Sequence, residues 1–162
     1  MRRRVALALL VTLLVAACDG AAQGENSCDA ESQPEDAPEV VRLYSSVWNE
    51  PDTAERLAIL ERIWAENASF VDPLLDERVT GIDEFNGYLD GFTEAYAGYY
   101  FTLQAWTAGD HHHNQLRMRW NFCDPGGALL VEGTDFGVLD ANGRLQSIAS
   151  FYALPWPEPP TP

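Results

Sequence analysis

The sequence predicts an α+β domain in which three helices of the first half lie against one face of a curved antiparallel sheet. Two observations carry this. Apolar residues recur at helical spacing three times between Val40 and Tyr96, and from Tyr99 onward they alternate as in strands. No proline stands between Pro73 and Pro125, and two tetrads of hairpin type, Asp124-Pro125-Gly126-Gly127 and Asp140-Ala141-Asn142-Gly143, break the second half into long strands. Helices first and an antiparallel meander last is an α+β order, with the helices gathered on one face.

Each element has its own signal. Val40, Val41, Tyr44, Val47 and Trp48 give the first helix one apolar face. Pro51-Asp52-Thr53 restarts the chain, and Leu57, Leu60, Ile63 and Trp64 form the face of a second helix. A short strand, Asn67 to Val71, ends at Asp72-Pro73, since proline lacks a ladder donor and biases the residue before it toward extended backbone. Gly81-Ile82-Asp83 opens the third helix, whose buried face is marked by Ile82, Phe85, Tyr88, Leu89, Phe92 and Tyr96. Four strands follow, Tyr99 to Thr107, Asn114 to Phe122, Leu129 to Leu139 and Leu145 to Ala153.

The termini differ from this body. Arg2-Arg3-Arg4 and the apolar run from Val5 to Ala17 have the layout of an export signal, too short for a stable membrane-spanning helix. Val15-Ala16-Ala17-Cys18 resembles the lipobox of bacterial lipoproteins, which implies a lipidated Cys18 as the mature N-terminus; Asp19 resembles an inner-membrane retention signal. Residues 18–38 are too polar to offset the entropy of ordering and read as a tether, residues 39–154 as the folded domain, and residues 155–162 as a Pro-rich extended tail. Without residues 1–17 the chain has seven Arg against 25 acidic residues, a formal charge of −18, which argues against binding nucleic acid.

Asp72 is the first candidate for chemistry, and two readings of it stand: a turn residue in the company Asp keeps with Pro, or a general base at a strand end beneath a cavity. His111-His112-His113 after Asp110 offers two imidazoles on one strand face, short of the four ligands of a structural zinc site, and also reads as the start of a strand at a rim. With no phosphate loop and no Ser or Cys nucleophile motif, the sequence implies no cofactor and no metal.

The element order, with Trp64, Phe70-Val71-Asp72-Pro73, Gly81, Leu116 to Trp120, Gly133-Thr134-Asp135-Phe136-Gly137 and Gly143-Arg144-Leu145, resembles the superfamily of nuclear transport factor 2, SnoaL-like polyketide cyclases and ketosteroid isomerases. The resemblance implies a cone, a bent sheet wrapped around the long third helix with a pocket between them. The ketosteroid isomerases within it use an Asp base with a Tyr and a protonated Asp as donors to an enolate. On this chain their pattern places the base at Asp72, the Tyr at Tyr44 and the protonated acid at Asp135. Alternation sends Asp135 to the face of Val131 and Gly133. Tyr88, Met118, Trp120, Phe122, Ile148 and Tyr152 would line the cavity on this mapping, or else fill a solid core.

Three functional classes follow: a domain binding a small apolar molecule, a cofactor-independent isomerase, cyclase or dehydratase, and a non-catalytic scaffold. Relatives of this fold pair through the outer sheet face, which here carries Arg117, Arg119, Asn121 and Glu132, so a homodimer stays open. With Cys18 given to lipid, Cys28 and Cys123 form an even remainder in an oxidising compartment, which suggests a disulfide; the opposing reading makes Cys28 a linker residue and Cys123 a small strand-end hydrophobe.

Overall fold

The computed structural model describes Cys28 and residues 34–161. The export signal and Cys18 lie outside the described residues. The elements are α1 (Glu39–Val47), α2 (Thr53–Ile63), β1 (Trp64–Val71), β2 (Val79–Thr80), α3 (Ile82–Ala95), β3 (Tyr100–Leu103), a 3-10 turn (Ala108–Asp110), β4 (His111–His112), β5 (Gln115–Cys123), β6 (Leu129–Leu139) and β7 (Leu145–Tyr152). Three helices and one seven-stranded sheet make the mixed α+β architecture that the sequence order predicts.

Local chemistry sets the helix ends. Asp52 caps α2, its carboxylate accepting from the Ala54 and Glu55 N–H groups at 2.9 Å each. Gly81 starts α3 at φ 82°, a conformation glycine adopts without steric cost, and its N–H donates to Ala68 O at 2.8 Å, tying the helix start to β1. Val41, Leu60, Phe70, Phe85, Leu89 and Leu145, all 0% exposed, form the centre of the main core.

The sheet order is β2-β1-β7-β6-β5-β3, with β4 paired to β5. The meander from β5 to β7 is antiparallel, but β1 runs parallel to β7, with Phe70 opposite Ile148. This pairing joins the strand that carries Asp72 to the last strand of the chain. β1 also begins at Trp64, which the apolar spacing assigned to the second helix; Trp64 stacks on Phe85 with ring centroids 4.4 Å apart and an interplanar angle of 6°. β3 stops at Leu103, short of Thr107, because Thr107 turns to donate N–H and hydroxyl to Asp110, at 2.7 and 2.8 Å.

Two terminal segments pack where the sequence shows only irregular composition. Cys28 is disulfide-bonded to Cys123, with Cα atoms 6.3 Å apart, and its N–H donates to Gly127 O at 2.8 Å. Ala37, counted with the tether, is buried against α1. At the other end the Pro-rich segment turns back instead of extending away: the Tyr96 hydroxyl donates to Pro157 O at 2.6 Å, and the Trp156 ring meets Phe122 at 4.8 Å and Tyr152 at 4.9 Å.

Candidate functional site

Between α1, α3 and the inner sheet face lies a pocket that opens to solvent at its mouth. Asp72, immediately after β1, and Asp135, in the middle of β6, both line it, as does Tyr44 of α1. The three residues that the resemblance singles out are thus brought together from three elements far apart in the chain.

The two carboxylates have different surroundings. Asp135 is 3% exposed and receives donors on both oxygens: the Tyr44 hydroxyl to Oδ2 at 2.9 Å and the Trp120 indole N–H to Oδ1 at 2.8 Å. The Ser150 hydroxyl adds a further bond. Burial outweighs these donors and pushes the Asp135 carboxyl up to about 6. Asp72 sits nearer the mouth and is half-buried; Tyr152 Oη donates to its Oδ1 at 2.5 Å and Leu74 N–H to the same atom at 2.8 Å, while Oδ2 receives neither. Burial raises its carboxyl as well, and the two donors oppose the rise.

The tyrosines respond to the same environment. Burial, then the charge of Asp135, holds the Tyr44 phenol well above its ordinary range, and burial followed by Asp72 raises Tyr152. Both phenols therefore remain protonated donors at neutral pH. The resemblance implies a protonated Asp135 donating outward; in the structure the Asp135 carboxyl accepts from Tyr44 and Trp120, and burial raises it to about 6.

No family model and no curated protein sequence matches the chain. Solved structures do. An isomerase candidate of the SnoaL-like family from Agrobacterium tumefaciens strain C58 superposes with a TM-score of 0.65 at 29% identity, over 70% of this chain and 94% of that one. The domain has the SnoaL-like fold. A nuclear transport factor 2-like protein from Exiguobacterium sp. 255-15 gives 0.56 at 17% identity, over 70% of this chain and 98% of that one. A polyketide cyclase candidate from Sinorhizobium meliloti gives 0.57 at 16%, over 74% and 100%. The last two show the fold alone.

Within this SnoaL-like cone, Tyr88, Met118, Trp120 and Tyr152 stand on the cavity wall. Phe122 and Ile148 do not. Ile148 is 1% exposed in the main core, and Phe122 is 0% exposed beneath Tyr96, Phe101 and Trp156, so alternation gave their face correctly but not their depth. Trp48, Phe92, Ser150 and Trp156 also line the cavity and were not anticipated. Trp48 belongs to the predicted face of the first helix and Phe92 to that of the third, one turn beyond Tyr88, so helical spacing held a signal for both; the Pro-rich context of Trp156 held none. Among the described residues no cluster of three potential metal ligands occurs, and His111 and His112 are exposed in β4.

Proposed function

We propose that this SnoaL-like domain binds a small, largely apolar molecule in the cone and moves a proton on it, with Asp72 as the base and no cofactor. One observation carries the reading. Asp72 presents a carboxylate whose Oδ1 is fixed by Tyr152 and Leu74 while Oδ2 is unspent, at the mouth of a cavity walled by aromatic rings. A held base of raised basicity facing an apolar ligand is what proton abstraction needs. Asp135 is a positioning residue in this scheme, since its two oxygens fix the hydroxyl of Tyr44 and the indole of Trp120.

The domain's setting is part of the proposal. Cys18 carries a lipid that holds the chain at a membrane, on the exported side. The lipobox pattern supports this, and so does the Cys28–Cys123 bridge, because disulfides persist in oxidising compartments. Among the described residues no helix is long and apolar enough to cross a membrane.

The test uses 5-nitrobenzisoxazole, a flat aromatic probe whose isoxazole C3–H proton passes to a base while the N–O bond breaks to leave a coloured cyanophenolate. The intact protein should turn it over faster than acetate at equal concentration, and Asp72→Asn should lose on the order of a hundredfold or more of that rate. Equal rates for wild type and Asp72→Asn would remove Asp72 as the base.

A further inference from the structure

We propose that the natural ligand of the cavity carries a positive charge, a small tertiary or quaternary ammonium group seated among the aromatic rings with Asp72 as its counter-ion. This rests on the cavity being a ligand site and is independent of the proton transfer. Three properties of the wall point to it.

The first is charge. Among the described residues Asp72 and Asp135 are the charged side chains of the lining, and no Arg or His lines it. The chain as a whole is strongly acidic, a net charge that favours the approach of cations over anions.

The second is the fate of the donors. A ligand that carries a carboxylate or a phosphate needs protons aimed at it. Tyr44 and Trp120 spend theirs on Asp135, and Tyr152 spends its own on Asp72. An anion entering here meets two carboxylates, with the Tyr44, Trp120 and Tyr152 donors already engaged and the Trp156 indole N–H buried without a partner, whereas a quaternary ammonium needs no hydrogen bond at all.

The third is the walls. Trp48, Tyr88, Phe92, Trp120, Tyr152 and Trp156 present rings around one space. Trp48 stands edge-on to Tyr88 and Phe92 at 6.1 and 5.6 Å, and Tyr152 stands between Trp120 and Trp156 at 5.6 and 4.9 Å. Ring faces carry negative quadrupole charge and attract a cation within about 6 Å of their centres, tryptophan most strongly. Neutral apolar matter would fill such a space too, but it gains nothing from the two carboxylates.

The experiment compares choline with 3,3-dimethylbutan-1-ol, which has the same shape with carbon in place of the charged nitrogen. Binding is read by calorimetry on the intact disulfide-bonded protein, on Asp72→Asn and on Trp156→Leu. Choline should bind at least tenfold tighter than the alcohol. Asp72→Asn should erase most of that ratio by weakening choline alone, and Trp156→Leu, at the partly exposed end of the cage, should weaken choline severalfold. Near-UV circular dichroism checks that each variant is folded. Equal or tighter binding of the alcohol overturns the inference. So does a failure of choline to bind while Asp72-dependent turnover of the benzisoxazole persists, a result that leaves the cavity as a ligand site. If choline, the alcohol and the benzisoxazole all fail, the inference falls together with the pocket reading.

Discussion

Replacing Asp135 by asparagine should make the protein gain stability relative to wild type as pH rises, although three hydrogen bonds converge on the residue. Burial raises the folded-state carboxyl from an ordinary 3.8 to about 6. A carboxyl raised on folding contributes its full stability below its unfolded value and loses that contribution as pH climbs toward the folded one. Over the window from about pH 4 to pH 6 wild type should therefore give up about 3 kcal/mol that the variant keeps, after which the difference is flat. The asparagine can keep its carbonyl toward the Trp120 indole and offer its amide to Tyr44, whose hydroxyl accepts as well as donates. Leucine at the same position removes the same titration and so shares the pH trend, but from a lower starting point, with a cost of about 1 to 3 kcal/mol for each donor left unpaired. The assay is chemical denaturation of wild type, Asp135→Asn and Asp135→Leu at intervals from pH 4 to pH 8 with the disulfide intact. A constant offset between wild type and Asp135→Asn across that range would refute the reasoning.

Two further outcomes are expected. A Cβ at Gly133 would stand 2.1 Å from Trp120 Cζ2, so Gly133→Ala should push the indole off Asp135 and cost about 1 to 3 kcal/mol, read as a lower denaturation midpoint with altered tryptophan fluorescence; unchanged values of both would show that the ring has room to move. Cys18→Ala should move the protein from the membrane fraction to the soluble one, and recovery of unmodified Cys18 from the membrane-bound parent would end the lipoprotein reading.

Much of the frame was legible because period and punctuation act locally. Pro73 marked the end of β1 and so the position of Asp72, and alternation along β6 put Asp135 inward while Phe136, 51% exposed, faces out beside Phe151. What was not legible depends on partners distant in the chain. Arg56 sits within α2 as an ordinary polar residue, yet it is 0% exposed, its guanidinium fixed by Asn86 Oδ1 at 2.8 Å, Glu50 O at 2.6 Å and the Asp90 carboxylate. The parallel seam between β1 and β7 has the same origin, as does the bond from Tyr152 to Asp72 across 80 residues that the seam makes available. Trp156 shows the limit most clearly: a run of prolines excludes helix and central strand, and that exclusion says nothing about where an indole in the run will dock.

The bridge between Cys28 and Cys123 changes what a protease can do to this protein. An exposed polar connector between an anchor and a domain is ordinarily the point of shedding, because one cut there frees the domain. Here a cut anywhere between residues 29 and 38 leaves the two pieces covalently joined, with the domain still attached through Cys123. Release by a single cut requires a site upstream of Cys28, and a cut downstream of it has to be followed by reduction. On the proposed anchoring at Cys18, the stretch over which one nick liberates the domain is confined to the residues between Cys18 and Cys28.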